Sequence, residues 1–147
     1  MTAKPHAHRL RKGRVSESNR IYFITAATSE RKPVFADFKH ARHLVNVLRQ
    51  DAALQRTHSL CFVVMPDHLR WLMQLNEGFD LSSVIHGVKS ISSKRIGHSI
   101  WQKGFYDHAV RRVEDLRSLS RYIIANPIRA GLVESVGQYP HWDSVWL

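Results

Sequence analysis

The sequence predicts an α+β fold, an antiparallel sheet with helices packed mainly on one face. Three observations carry that prediction. Segments rich in β-branched and aromatic residues alternate with segments of helical periodicity, in the order β-α-β-β-α-β-α. Two adjacent apolar runs, 60–65 and 69–75, meet at Pro66-Asp67 and read as a hairpin, although the turn is not the favoured Asn-Gly type. The chain has 147 residues, enough for one real core and not for two.

Residues 1–19 are polar and basic and lack apolar periodicity, so they read as a flexible arm. Arg20, Ile21, Tyr22, Phe23, Ile24, Thr25 and Ala26 form a strand, and Arg31-Lys32-Pro33 breaks the chain after it. Over residues 38–56, Ala41, Leu44, Val45, Val47, Leu48, Ala52 and Leu54 recur at helical spacing. The hairpin follows. Asp80 suits the cap of a second helix ending near Ile96, with Val84, Ile85, Val88 and Ile91 on its apolar side. Residues 99–112, with Trp101, Phe105 and Val110, return the chain through a further strand. Glu114 and Asp115 suit the positive end of a third helix, which Pro127 ends or bends just past Asn126. An aromatic tail occupies 136–147, where Tyr139, Trp142 and Trp146 either pack onto the domain or stack on a ligand.

Lys and Arg number 22 against 12 Asp and Glu, a net charge of +10 before any of ten histidines protonates. Such a surplus points to a polyanionic partner. A negatively charged membrane is the competing partner, but no apolar run approaches the length of a span, and no signal-peptide pattern opens the chain. A soluble, intracellular protein is expected. The single Cys61 cannot form an intramolecular disulfide and reads as a small buried hydrophobe.

Two segments carry chemistry. Phe62-Val63-Val64-Met65-Pro66-Asp67-His68-Leu69-Arg70-Trp71 sets His68 at the start of a strand, where residues 68 and 70 project to one face. Tyr122-Ile123-Ile124-Ala125-Asn126-Pro127 sets a tyrosine and an asparagine four apart on a helix, again on one face. Singly, each has an ordinary structural explanation: a core or surface histidine, an amphipathic tyrosine, an asparagine that terminates a helix. Together the two segments resemble the single-tyrosine transposases with a His-hydrophobic-His metal motif. Trp101-Gln102-Lys103-Gly104-Phe105, the continuation through Ile128-Arg129-Ala130-Gly131-Leu132-Val133, the basic arm and the aromatic tail are similar to the REP-associated branch of that family.

The resemblance implies the ferredoxin-like sheet of the HUH endonucleases, with residues 20–135 as the catalytic domain. It also implies a nucleophile, Tyr122, which attacks a phosphodiester to leave a 5′-phosphotyrosine link and a free 3′-hydroxyl. His68 and Asn126 correspond to ligands of a Mg²⁺ or Mn²⁺ ion, to which a carboxamide oxygen is suited. One position departs from the pattern: Arg70 stands where the second histidine ligand is expected. A guanidinium donates without accepting and stays charged, so it cannot ligate a cation and repels one. Either cleavage is silenced, or the Arg70 charge binds the scissile phosphate in place of part of the cation. The expectation is strongly reduced catalysis with DNA binding retained.

The implied partners are DNA hairpins with single-stranded flanks, bound by a monomer in the bacterial cytoplasm at the nucleoid. Arg11, Lys12, Arg14, Lys89, Lys94, Arg95, Arg111, Arg112 and Arg129 are candidate phosphate contacts. Asp107 and His108 are candidates for the active-site shell, with a turn and a surface imidazole as the ordinary alternative. Two other functions compete: a hairpin-binding module without catalysis, and a basic RNA- or ribosome-associated protein in which Tyr122 is structural.

Overall fold

The computed structural model describes residues 20–112 and 115–146. The basic arm with Arg11, Lys12 and Arg14 lies outside them, as does Glu114. In chain order the elements are β1 (Ile21–Ala27), α1 (Phe38–Ala53), β2 (Thr57–Met65), β3 (His68–Leu75), α2 (Leu81–Ile96), β4 (Tyr106–Val110), α3 (Asp115–Ile124), the short α4 (Asn126–Arg129) and β5 (Trp142–Ser144), with 3₁₀ turns between some of them. The five strands form one antiparallel sheet in the order β4-β1-β3-β2-β5.

Period-two alternation gives the sheet two apolar faces. Tyr22, Ile24, Phe62, Val64, Leu69, Trp71 and Met73 point to one face, where they bury Leu44, Val45 and Leu48 of α1 and Val84, Ile85 and Val88 of α2. Cys61, Val63, Met65 and Leu72 point to the other, against Leu116, Ile123 and Ile124 of α3 and Tyr139 of the tail. The two long helices thus share one face, and α3 brings Tyr122 to the opposite one.

Caps set the helix ends. The Asp37 carboxylate accepts from the amides of Lys39 and His40 at 2.9 and 3.3 Å, and Asp80 accepts from Ser83 N–H at 3.1 Å. Gly97 closes α2 in the left-handed conformation, φ 113°. Helix α1 stops at Ala53, short of the residue 56 expected, because Gln55 turns left-handed at φ 60°. Strand β2 starts at Thr57, three residues before the apolar run, since a bulge between Ser59 and Cys61 hides the alternation there. The third helix is divided at Ala125; Pro127 falls in the first turn of α4, where its missing N–H is tolerated.

The Pro66-Asp67 turn is held from outside. Its two carbonyls accept from Phe35 N–H at 2.9 Å and Thr28 N–H at 3.0 Å, and the Thr28 hydroxyl adds a bond of 3.1 Å to the Asp67 carbonyl. Neighbouring backbone therefore secures a turn whose own sequence is weak, and with it the position of His68. The tail packs on the domain: β5 pairs with the β2 edge, the Tyr139 hydroxyl donates to the Val64 carbonyl, and Trp142 Nε1–H donates to the Val136 carbonyl at 3.1 Å. Burial pushes the Tyr139 phenol up to about 12. Trp142 and Trp146 pack against the same core. No helix among the described residues is long and apolar enough to cross a membrane.

Candidate active site

The sheet register assembles the site. His68 opens β3 opposite Met65 on one side and Ala27 on the other; Arg70, two residues on, lies opposite Thr25 and Val63. Both side chains project to the α3 face. There Tyr122, on the last turn of α3, and Asn126, at the start of α4, meet them.

His68 is buried, and its imidazole is oriented by a chain of charge. Nδ1–H donates to Asp67 Oδ1 at 2.7 Å, and Arg31 Nε–H donates to Asp67 Oδ2 at 3.0 Å. Partial burial raises the Asp67 carboxyl, but the bonds from His68 and Arg31 together outweigh it and hold that carboxyl below its ordinary value. Burial lowers His68, and Asp67 only partly offsets it, so the imidazole is neutral at pH 7. With the proton on Nδ1, Nε2 carries a lone pair.

That lone pair faces two groups. Arg70 Nε–H donates to it at 3.3 Å, and Asn126 Oδ1 stands 3.4 Å away. An imidazole lone pair and a carboxamide oxygen converge, as two ligands of one cation would. The remaining geometry opposes a cation. Arg70 already occupies the lone pair and brings a permanent positive charge, and among the described residues no group of three His, Cys, Asp or Glu side chains is placed to hold a metal. A Mg²⁺ ion requires near-octahedral oxygen-rich coordination. The donor set as built does not fit one.

Tyr122 is 48% exposed, and its ring is bracketed by arginines. The Arg129 guanidinium carbon lies 3.9 Å from the ring centroid and that of Arg70 5.9 Å, with Phe23 at the same distance from Arg70. Burial pulls the Arg70 pKa down while the neighbouring Tyr122 works against that fall. The tyrosine hydroxyl is thus reachable from solvent and flanked by positive charge, an arrangement suited to a phosphate approaching it.

The remaining predicted residues are spread more widely. His108 pairs with Phe23 and so shares the face of Arg70, whereas Asp107 pairs with Ile24 and faces α1 and α2, on the far side of the sheet from Tyr122. The expectation of a shared shell therefore fails for Asp107, because adjacent strand residues point oppositely. Lys89 is not a free surface cation either: its ammonium donates to the carbonyls of Gln102 at 2.9 Å and Gly104, and burial pushes it down to about 8. Arg95 turns to Gln50 of α1. Arg111 and Arg112 are exposed just beyond β4, and Lys94 is exposed on α2.

Two participants escaped the sequence reading. Asp67 was visible only as a turn residue, although an acid immediately before a histidine is a signal for an orienting partner. Arg31 carried no signal. It reaches Asp67 because Glu30 and Arg31 both adopt left-handed backbone conformations, φ 55° each, which sequence periodicity does not report.

The fold and the Tyr122-His68-Asn126 constellation define a class, and comparison with known proteins gives the same one. The pattern of the IS200-like transposases matches residues 16–126, and the chain belongs to that family. Within it the chain is similar to the REP-associated tyrosine transposases. It is 29% identical to the one from Escherichia coli over 86% of this chain and 81% of that protein. It is 25% identical to a Haemophilus influenzae protein named for the same group, over 82% and 77%. Among solved structures, a REP-associated tyrosine transposase bound to a REP hairpin superposes with a TM-score of 0.72 at 27% identity, covering 88% of this chain and 79% of that one. A Deinococcus radiodurans crystal structure described as a transposase shares the fold, with a TM-score of 0.55 at 22% identity over 78% and 95%.

Proposed function

We propose that this chain binds palindromic DNA hairpins with single-stranded flanks and presents Tyr122 to a phosphodiester of the flank, with strand cleavage strongly reduced by Arg70. The observation that carries the reading is the Arg70 guanidinium, bonded to His68 Nε2 on one side and lying beside the Tyr122 ring on the other. Similarity to a protein solved on a REP hairpin supports hairpin DNA as the ligand class.

In the residual reaction the Tyr122 oxygen attacks phosphorus and the bond from phosphorus to the 3′-oxygen breaks. The phenolic proton passes to solvent, the departing oxygen takes one up, and the products are a 5′-phosphotyrosine link and a 3′-hydroxyl. Arg70 and Arg129 stabilise negative charge on the non-bridging oxygens. His68, held by Asp67, positions Arg70 by accepting its Nε–H. No step runs through a divalent cation, whose binding Arg70 weakens. What is lost is the template by which a cation aligns nucleophile and leaving group. The protein acts as a monomer in the cytoplasm, at the nucleoid.

Fluorescence anisotropy with a labelled palindromic hairpin, its flanks intact and a chelator present, tests the binding half. Tight binding unaffected by chelation is expected, and preference for the DNA hairpin over RNA of matching sequence. Equal affinity for both would favour the RNA-associated alternative.

A further inference from the structure

On the opposite side of the sheet from Tyr122, the C-terminal half of α2 and the loop 97–104 enclose an open groove of about 800 Å³. Its lining holds Lys89, Lys94 and Lys103, with His86 and His98, and no carboxylate. Trp101 forms part of the wall, its Nε1–H fixed on Ser92 Oγ at 2.9 Å and its ring 5.4 Å from that of Phe35. Lys89 ties the loop down from beneath: two of its three N–H donors are taken by the Gln102 and Gly104 carbonyls, leaving one for a ligand. Lys94, Lys103, His86 and His98 are exposed. Cations lining a concave surface with no compensating acid concentrate anions there.

The groove approaches the Tyr122 site where β1 ends and β3 begins. Gln102 N–H donates to the Ala27 carbonyl at 3.0 Å, Ser29 N–H to the Ile100 carbonyl at 2.8 Å, and Ala27 is the strand partner of His68. Neighbouring strands lie about 4.8 Å apart, so the wall of the groove, bridged to β1 at Gln102, lies about two strand spacings from the histidine. Between the two, Arg31 and Lys32 have side chains 56% and 69% exposed. Arg31 is paired with Asp67 at 3.0 Å and Lys32 with Glu30 at 3.6 Å, so the uncompensated cations are those of the groove itself.

We propose that this groove is a second DNA-contact site that holds the phosphodiester backbone of a single-stranded flank after it has passed Tyr122, an assignment resting on the DNA-binding reading above. A single strand suits it better than a duplex stem because the Trp101 wall offers an aromatic surface on which an unpaired base can stack while lysines follow the backbone.

The test is the salt dependence of binding for two oligonucleotides, a hairpin alone and the same hairpin with its flank, with the chain as it is and with Lys94→Gln/Lys103→Gln. Both lysines are exposed, and a matching melting temperature confirms that the variant folds. For the flanked hairpin the log-log slope should fall by about 1.4, two single-strand contacts at about 0.7 each, while the bare hairpin gives an unchanged slope. An unchanged slope on the flanked hairpin, with tight binding of both oligonucleotides, overturns the groove and leaves the hairpin reading standing. An equal fall on both places the stem in the groove and also overturns the proposal. Failure of the unaltered chain to bind either oligonucleotide removes both readings together.

Discussion

Arg70 donates its Nε–H to Nε2 of His68 across 3.3 Å, placing a fixed positive charge on the lone pair with which that imidazole would bind a cation. Replacing Arg70 by histidine should remove the charge and supply a ligand at the same time, since residues 68 and 70 share a face of β3. Saturating Mn²⁺ should then raise the melting temperature of Arg70→His, by the equivalent of about 2.7 kcal/mol at a hundredfold excess over Kd, and leave the unaltered chain unmoved. Differential scanning fluorimetry with and without Mn²⁺ reads both. Equal stabilisation of the two proteins would show that Arg70 does not obstruct the site.

Tyr122 contributes little to the core, because its ring lies between two guanidinium groups with nearly half its surface in water. Tyr122→Phe should keep hairpin affinity and stability within about 0.5 kcal/mol and lose all covalent attachment to DNA. Loss of hairpin affinity instead would make the tyrosine a binding residue.

Ile123, next to Tyr122 in sequence, is fully buried where α3 packs on the sheet. Ile123→Ala should cost about 2–5 kcal/mol of stability, a transfer loss plus a cavity, measured by urea denaturation. A cost below 1 kcal/mol would mean that α3 is not anchored on the sheet as described.

Cys61 lies on the same face, its thiol directed at the Ser120 carbonyl at 3.8 Å, and burial pushes it up to about 11 from an ordinary value of 9.0. A raised acid pKa stabilises the protonated folded form, so this contribution is complete below pH 9 and is lost as pH rises from 9 towards 11. Thiol alkylation at pH 8 should proceed only through unfolding. Cys61→Ala should lose less stability between pH 8 and 10.5 than the parent. Rapid native-state labelling would contradict the packing of α3 over β2.

Much of the fold was legible because its signals are local. Asp80 and Gly97 bracket α2, apolar spacing marks α1, and the paired runs on either side of Pro66-Asp67 make the hairpin. The role of β5 was not legible: three residues in an aromatic tail form a strand only because the β2 edge beside them needs a partner. In the site, the periodicities 3.6 and 2 put Tyr122 with Asn126 and His68 with Arg70 on shared faces; that the two faces meet depends on the packing of α3 and α4 on the sheet. Asp67 as an orienting acid, Arg31 behind it and the capture of Lys89 by two carbonyls depend on long-range backbone paths. Asp107 was misplaced because its neighbour His108 faces the site and strand residues alternate.

The proposed function rests on the Arg70 guanidinium, which stands on the His68 lone pair and beside Tyr122, limiting that tyrosine as a nucleophile. It is tested most directly on a denaturing gel, by incubating a 3′-labelled hairpin with single-stranded flanks and Mn²⁺ with the unaltered chain, Arg70→His, and Arg70→His/Tyr122→Phe. A strong covalent band is expected with Arg70→His, a faint one or none with the unaltered chain, and none once Tyr122 is removed. Bands of equal strength with the unaltered chain and Arg70→His would contradict it.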